Sequence, residues 1–292
     1  MDGVIVVDKP EDWTSHDVVA KMRRVAGTRR IGHLGTLDPI ATGVLPLVIG
    51  RATRLAQFYT RSDKIYEGTV RFGWSTDTYD RAGVPTSPQR AVHLQPAEIE
   101  SHLEQFRGEF LQTPPPVSAK KVAGRRAYDL AREAVAVELP PAPVHLYELT
   151  LLAVDGPDAQ IRAHCSGGTY MRSIAHDLGQ ALGCGAHLYE LRRTASAEFE
   201  IAQARTIPQL ESLAAEDRLI DAFVPAADLL PGFPAVFVDD LAITQIRHGR
   251  NFAASSFRAH PAARVKALSR HGELIAIGEA VLPHLYHPAV VL

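Results

Sequence analysis

RIGHLGTLDPIATG, residues Arg30 to Gly43, gathers one carboxylate, one histidine, two threonines and three glycines between a helix-like segment and an apolar run. Asp38 is its only acid. Gly32 and Gly35 precede Asp38-Pro39, and glycine lets a backbone turn tightly and approach a ligand closely. Taken alone, the stretch reads as an ordinary turn, because Asp-Pro and paired glycines initiate turns in most proteins. Its meaning comes from the segments around it.

Upstream, Val4 to Val7 reads as a strand. Thr14-Ser15-His16-Asp17 has the form of a capping box ahead of a helix that carries Val18, Met22 and Val25 on one side and stops at Gly27. Downstream, Gly43 to Gly50 reads as a buried strand, Ala52 to Tyr59 as a short helix and Ile65 to Phe72 as an alternating strand. A helix is expected after Pro96 and another over Arg126 to Ala134. His145 to Val154 and Gln160 to Cys165 pair as strands turning at Asp155-Gly156-Pro157-Asp158. Thr169 to Leu182 is expected to be helical, and His187 to Phe199 strand-like. Strands interleaved with helices without a regular βαβ rhythm predict an α+β fold with a mixed or antiparallel sheet. Leu229 to Pro234 has linker character, and from about residue 235 short β-like segments, at Arg264 to Ser269 and Leu274 to Val281, predict a small β-rich C-terminal domain.

With 292 residues, 46% of them hydrophobic, the chain can build one large domain and a small one. Its apolar runs are far shorter than a membrane span, and the opening MDGVIVVDKP is wrong for a signal peptide. Two cysteines fit a reducing compartment, so the expected location is the cytoplasm. The formal net charge is −2, but the basic residues cluster: Lys21, Arg23, Arg24, Arg29 and Arg30; Lys120, Lys121, Arg125 and Arg126; Arg192 and Arg193. Residues 198–240 carry nine acids against Arg205 and Arg218. A positive face over an acidic body is the footprint of a nucleic-acid binder, although scattered solvated arginines give the same count.

Several chemistries are disfavoured. There is no G-x-x-x-x-G-K-[ST] loop for a nucleoside triphosphate and no G-x-S-x-G elbow. The metal candidates are His164, Cys165, Cys184 and His187, and adjacent strand residues such as His164 and Cys165 point to opposite faces, which argues against one four-ligand site. Asp77 and Asp80 in TDTYD read better as a polar turn than as a cation site. Singly, Tyr66 on its strand reads as a packing residue, and Arg172 in a first helical turn as a surface arginine.

Together these segments become recognisable. GHLGTLDPIATGVLPL (32–47), DKIYEGTVRFGWSTDTYDRAG (63–83), PPPVSAKKVAGRRAYDLAR (114–132) and CSGGTYMRSIAHDLGQALGCGAHLYELRR (165–193) resemble, in order, the TruB family of tRNA pseudouridine synthases. That family makes the pseudouridine at tRNA position 55, in the TΨC loop. The resemblance implies a mixed-sheet pseudouridine synthase catalytic domain over residues 1–230 and a PUA-like RNA-binding domain over 235–292. It implies Asp38 as the catalytic aspartate, Tyr66 as the active-site tyrosine and Arg172 as the arginine paired with the aspartate. His33 would meet the RNA beside the flipped uridine, Asp80 would help order the site, and Leu191 would wall the base. Tyr170, Lys120, Lys121 and Arg192 are expected to contact substrate. Departures from the family pattern are Gly167, where a lysine is usual, Leu34, where a small or polar residue is common, and Val117, where an aromatic is frequent.

The chemistry fits these residue types. Uridine becomes pseudouridine when the N1–C1′ bond breaks and the uracil rejoins through C5, with no atoms gained or lost, so no cofactor is expected. A carboxylate can attack the electron-poor sugar carbon, add to the uracil ring, or remove the C2′ proton on a route through a glycal. A tyrosine with a pKa of about 10 suits a stacking platform better than a general base at neutral pH. The expected partner is the TΨC arm of tRNA, bound by a monomer with no guide RNA and no membrane. Two rival readings are a tRNA-binding or tRNA-folding protein without catalysis, and a nucleoside hydrolase using Asp38 with Asp80.

Overall fold

The computed structural model describes residues 2–117, the two-residue strands at 121–122 and 125–126, and residues 140–253 and 262–292. The helix expected over Arg126 to Ala134 lies outside the described residues, as do the side chains of Lys120, Lys121, Arg125 and Arg126.

In chain order the strands are β1 (Gly3–Lys9), β2 (Ile31–His33), β3 (Ala41–Ile49), β4 (Lys64–Phe72), β5 (Gly108–Gln112), β6 (Lys121–Val122), β7 (Arg125–Arg126), β8 (Ala142–Asp155) and β9 (Asp158–Cys165). They continue as β10 (Ala186–Ser196), β11 (Phe199–Glu200), β12 (Phe223–Pro225), β13 (Ala235–Phe237), β14 (Phe252–Ala253), β15 (Arg264–Leu268), β16 (Leu274–Leu282) and β17 (Leu285–Val291). The large sheet runs β12-β1-β3-β10-β4-β9-β8-β5, with β2 on β3 and β11 on β10. Among the described residues its strands pair in parallel only at β3 with β10, so the sheet is mixed, as expected. A second sheet, β13-β15-β16-β17-β14, forms the β-rich C-terminal module.

Strand β1 is apolar almost throughout because both its faces are covered. Ile5 and Val7 enter a core with Leu45, Leu47 and the helix residues Val18, Met22 and Leu210. Val4 and Val6 enter a second core with Val44, Val48, Leu55 and Tyr59, and Leu268, Ile277 and Val290 of the C-terminal module join it there. Lys266, 7% exposed, seals that junction by donating to the carbonyls of Ala227 (2.8 Å) and Leu229 (2.9 Å) in the connecting segment.

The expected capping box is present. Thr14 Oγ1 accepts from the Asp17 amide at 3.0 Å, and Asp17 accepts from the Thr14 amide at 2.9 Å, opening the helix Ser15–Val25. The segment expected as a helix over Ala52 to Tyr59 is a 3-10 helix, Gly50–Tyr59. The strand expected over His187 to Phe199 divides into β10 and β11, which form a tight hairpin with Ala197 in the left-handed region (φ 52°). The helix expected from Thr169 begins at Met171, because the Thr169 hydroxyl bonds the Ser166 carbonyl at 3.0 Å and Gly168 turns left-handed at φ 97°.

Candidate active site

Four neighbouring strands gather the separate sequence segments. The β3/β10 pairing sets Leu191 opposite Ala41 and Arg193 opposite Gly43. On its other edge β10 sets Arg193 opposite Tyr66 of β4, and β4 sets Lys64 opposite Cys165 at the end of β9. The loop entering β3, the start of β4, the loop leaving β9 and the middle of β10 therefore meet around a cavity of about 260 Å³, whose lining includes Asp38, Lys64, Tyr66, Arg172, Leu191 and Arg193. Gly43 makes the central pairing possible. Its φ is +98°, and a Cβ there would lie 2.3 Å from the Arg193 carbonyl oxygen.

Within the cavity Arg172 faces Asp38. Nη2 donates to Oδ1 at 3.1 Å, and Nε lies 2.9 Å from Oδ2. The Nε–H direction misses hydrogen-bond geometry, so the second contact is an ionic approach. Arg172 is 5% exposed, whereas the Asp38 side chain is 35% exposed and open to a ligand. On its other side Arg172 Nη1 donates to the Thr78 carbonyl at 3.1 Å and stands 3.6 Å from Asp80 Oδ2. Asp80 also accepts from Thr78 Oγ1 (2.6 Å) and the Ala82 amide (3.0 Å), and Asp77 accepts from the Val84 amide (2.8 Å). TDTYD is thus a polar turn braced on an arginine. Among the described residues no group of three or more His, Cys, Asp or Glu could hold a metal ion.

The Asp38 loop is pinned on three sides by Arg193, which the sequence grouped only with the basic clusters, by Ser15, read only as part of a helix start, and by Lys9. Arg193, 1% exposed, donates to the carbonyls of Val44 (2.7 Å), Gly35 (3.1 Å) and Thr36 (3.3 Å). Ser15 Oγ accepts from the Leu37 amide at 2.8 Å and donates to the Leu37 carbonyl at 3.1 Å. Lys9, fully buried, donates to the carbonyls of Trp13 (2.5 Å), Pro10 (2.8 Å) and Pro39 (3.2 Å). Lys9 and Ser15 left faint signals in the sequence: a lysine closing an otherwise apolar strand, and a small hydroxyl just inside a helix start.

Burial sets the protonation of the cavity walls. It pushes the Tyr66 phenol up from its ordinary value, with Arg193 opposing, so the hydroxyl stays neutral. Burial, reinforced by Arg193, pulls the Lys64 ammonium down to about 8. The Cys165 thiol is pushed up to about 11 by burial, which removes it as a nucleophile at neutral pH.

The remaining expected residues divide. Tyr170 and Leu191 line the cavity. Tyr170 is held through its backbone, its amide donating to Gln112 Oε1 at 2.8 Å and its carbonyl accepting from Gln112 Nε2 at 3.0 Å. His33 does not line it but stands at the loop entry, where Nδ1 meets the Gly35 amide at 3.4 Å. Arg192 points away from the cavity, as strand alternation requires of a residue between Leu191 and Arg193, and pairs with Asp8 through Nη1 (3.1 Å) and Nη2 (2.8 Å). Gly167 has a steric reason to lack a side chain: a Cβ would sit 3.0 Å from the Arg61 backbone. Leu34 is 5% exposed and belongs to the core under β1. A larger depression of about 420 Å³ between Phe58, Glu198 and Phe233 lacks such convergence. Of its two carboxylates, Glu198 is taken by the Tyr59 hydroxyl (2.5 Å) and the Leu230 amide (3.1 Å), and Asp63 faces His164 Nε2 at 3.6 Å.

A mixed sheet thus holds an arginine-braced aspartate in a central cavity. Residues 23–171 match the model of the TruB family pseudouridylate synthase N-terminal domain, and residues 172–230 match that of the tRNA pseudouridylate synthase B C-terminal domain. The chain is 72% identical to the tRNA pseudouridine synthase B of Solibacter usitatus, over 100% of both chains. It is 48% identical to that of Thermobifida fusca over 72% of this chain and 74% of the relative. Among solved structures, a Cbf5-Nop10-Gar1 complex matches with a TM-score of 0.73 at 28% identity, covering 97% of this chain and 79% of the other. An H/ACA RNP bound to a substrate RNA containing 2'-deoxyuridine matches with a TM-score of 0.73 at 26% identity, covering 99% and 84%. The chain belongs to the TruB family of pseudouridylate synthases.

Proposed function

We propose that this protein isomerises the uridine at position 55, in the TΨC loop of tRNA, to pseudouridine, working as a monomer without a guide RNA in the cytoplasm. The observation that carries the reading is the Asp38–Arg172 pair: an open carboxylate on a buried guanidinium, in a cavity walled by Tyr66 and Leu191. The relatives' names supply the RNA class, and the family resemblance the position.

A uridine inside a folded loop must be extruded to reach Asp38, at a cost of a few kcal/mol. Stacking on an aromatic ring returns about 1–3 kcal/mol, the part assigned to Tyr66, with Leu191 on the apolar side. Asp38 then bonds to C1′ as the N1–C1′ bond breaks and the uracil leaves with the electron pair. The uracil turns, its C5 displaces the Asp38 carboxylate from C1′, and the proton on C5 is lost as N1 gains one. Arg172 aims the carboxylate through its contacts with both Asp38 oxygens. The phenol of Tyr66, held neutral by burial, serves as a surface and a hydrogen-bonding group rather than a resident base. Residues 235–292, which neither family model covers, are assigned to a PUA-like second RNA contact.

Wild type and Asp38→Asn incubated with unmodified tRNA test the proposal. Pseudouridine at position 55 with unchanged RNA mass, made by wild type alone, is the expected result. Tight binding without pseudouridine would leave an RNA-binding or RNA-folding protein, and free uracil with an abasic site would indicate a hydrolase.

A further inference from the structure

We propose that the stacked pair Tyr79 and His176 is a positioning device that sets Arg172, and through it the Asp38 carboxylate, for the isomerisation assigned above. Tyr79 separates the two groups that brace the far side of Arg172, the Thr78 carbonyl and the Asp80 carboxylate, both of which approach Nη1. Its backbone is left-handed, with φ 64°. That conformation turns the residues on either side, Thr78 and Asp80, toward one guanidinium nitrogen, and it is one that glycine adopts readily and a bulky side chain resists.

An aromatic residue at such a position needs a compensating contact, and the structure supplies one. The Tyr79 ring lies flat on the His176 imidazole, with centroids 3.7 Å apart and planes 10° from parallel. His176 is four residues beyond Arg172 on the helix Met171–Ala181, one turn along the same side. Loop and helix are therefore joined at two points in register, the guanidinium with its two oxygen partners and the ring stack. The Tyr79 carbonyl, which accepts from the Leu188 amide of β10 at 2.9 Å, fixes the third side. The imidazole acts here as a plane. Its Nδ1 is buried with no hydrogen-bond partner among the described residues, and burial lowers its proton affinity, which favours the neutral ring. Neither ring lines the catalytic cavity, so both act through Arg172.

The experiment measures single-turnover pseudouridine formation on unmodified tRNA, RNA affinity and thermal midpoint. Tyr79→Phe keeps the ring and is expected within about twofold of wild type, while Tyr79→Gly relieves the backbone but loses the ring and is expected to be about tenfold slower. His176→Ala should match Tyr79→Gly, and RNA affinity should stay within about threefold for all three. In an Arg172→Lys background, Tyr79→Gly should add less than about twofold, because the stack acts through a guanidinium no longer present. A Tyr79→Gly enzyme at the wild-type rate overturns the inference. So do losses that multiply with Arg172→Lys, or a fall in rate matched by equal falls in affinity and thermal midpoint. A wild type that forms no pseudouridine overturns the synthase reading itself, and a wild type that forms it beside a fully active Tyr79→Gly overturns this inference alone.

Discussion

Arg172 and Asp38 meet along one edge of the guanidinium, Nη2 at 3.1 Å from Oδ1 and Nε at 2.9 Å from Oδ2, while Nη1 is spent on Thr78 and Asp80. A lysine has one point charge and cannot span these partners. Arg172→Lys should therefore lower turnover by about 10²-fold with little change in RNA affinity, the mark of a misaimed carboxylate. Asp38→Asn should abolish turnover and leave RNA affinity within about tenfold, since the carboxylate serves the reaction more than the grip. Single-turnover kinetics beside equilibrium binding check both, and loss of binding in Asp38→Asn would make Asp38 structural.

Ser15 satisfies the amide and the carbonyl of Leu37, the residue before Asp38. Ser15→Ala leaves two buried backbone groups without that partner, at a cost of about 1–3 kcal/mol. The expected outcome is lower stability in urea and slower turnover, with Ser15→Thr intermediate. An alanine variant as stable and active as wild type would show that the loop is held by Arg193 and Lys9 alone.

Gly43 sits where β3 and β10 cross most closely. Gly43→Ala combines a left-handed backbone with a Cβ driven to 2.3 Å from the Arg193 carbonyl oxygen. We expect destabilisation beyond about 2 kcal/mol by chemical denaturation, larger than for Gly27→Ala, whose Cβ would meet nothing within 4 Å.

Lys64 makes stability depend on pH in a definite direction. Its ammonium is pulled from 10.5 to about 8 in the folded protein, so below pH 8 both states are protonated and the cost of burying the charge is full. Between about 8 and 10.5 the unfolded chain binds more protons, and the Lys64 contribution to stability rises with pH. Above that window the cost is gone. Urea denaturation of wild type and Lys64→Met from pH 7 to 10 should show the difference moving in favour of wild type by up to ~1.4 kcal/mol per pH unit. A flat difference would mean that the amine titrates as in water.

The local elements were legible because their causes are local. The Thr14 capping box, the alternation of β4 and the turn at Gly156 depend on residues within a few positions of one another, and each stands where the pattern placed it. Asp38, Tyr66, Arg172 and Leu191 were named from the resemblance, and the strands do bring those four to one cavity. Arg192 shows what counting charges leaves out: it was expected at the substrate as one of a basic pair, and strand alternation turns it out of the cavity, where it pairs with Asp8. The loop-pinning set was missed for the reason that Lys9, Ser15 and Arg193 work on backbone carbonyls and amides, which carry no residue identity to read.

By itself the sequence determined the mixed α+β character, the β-rich end of the chain, the helix caps and the family, since periodicity, turn chemistry and ordered motifs are written in consecutive residues. Only the tertiary structure decided that the loop before β3, the start of β4 and the helix at Arg172 share one cavity. The parallel pairing of β3 with β10 does this, and it joins residues some 150 positions apart by backbone hydrogen bonds that any side chains except one at Gly43 would permit. The surroundings of Asp38 were decided at the same level: a buried guanidinium faces its carboxylate, and Arg172 supplies it from 134 residues away.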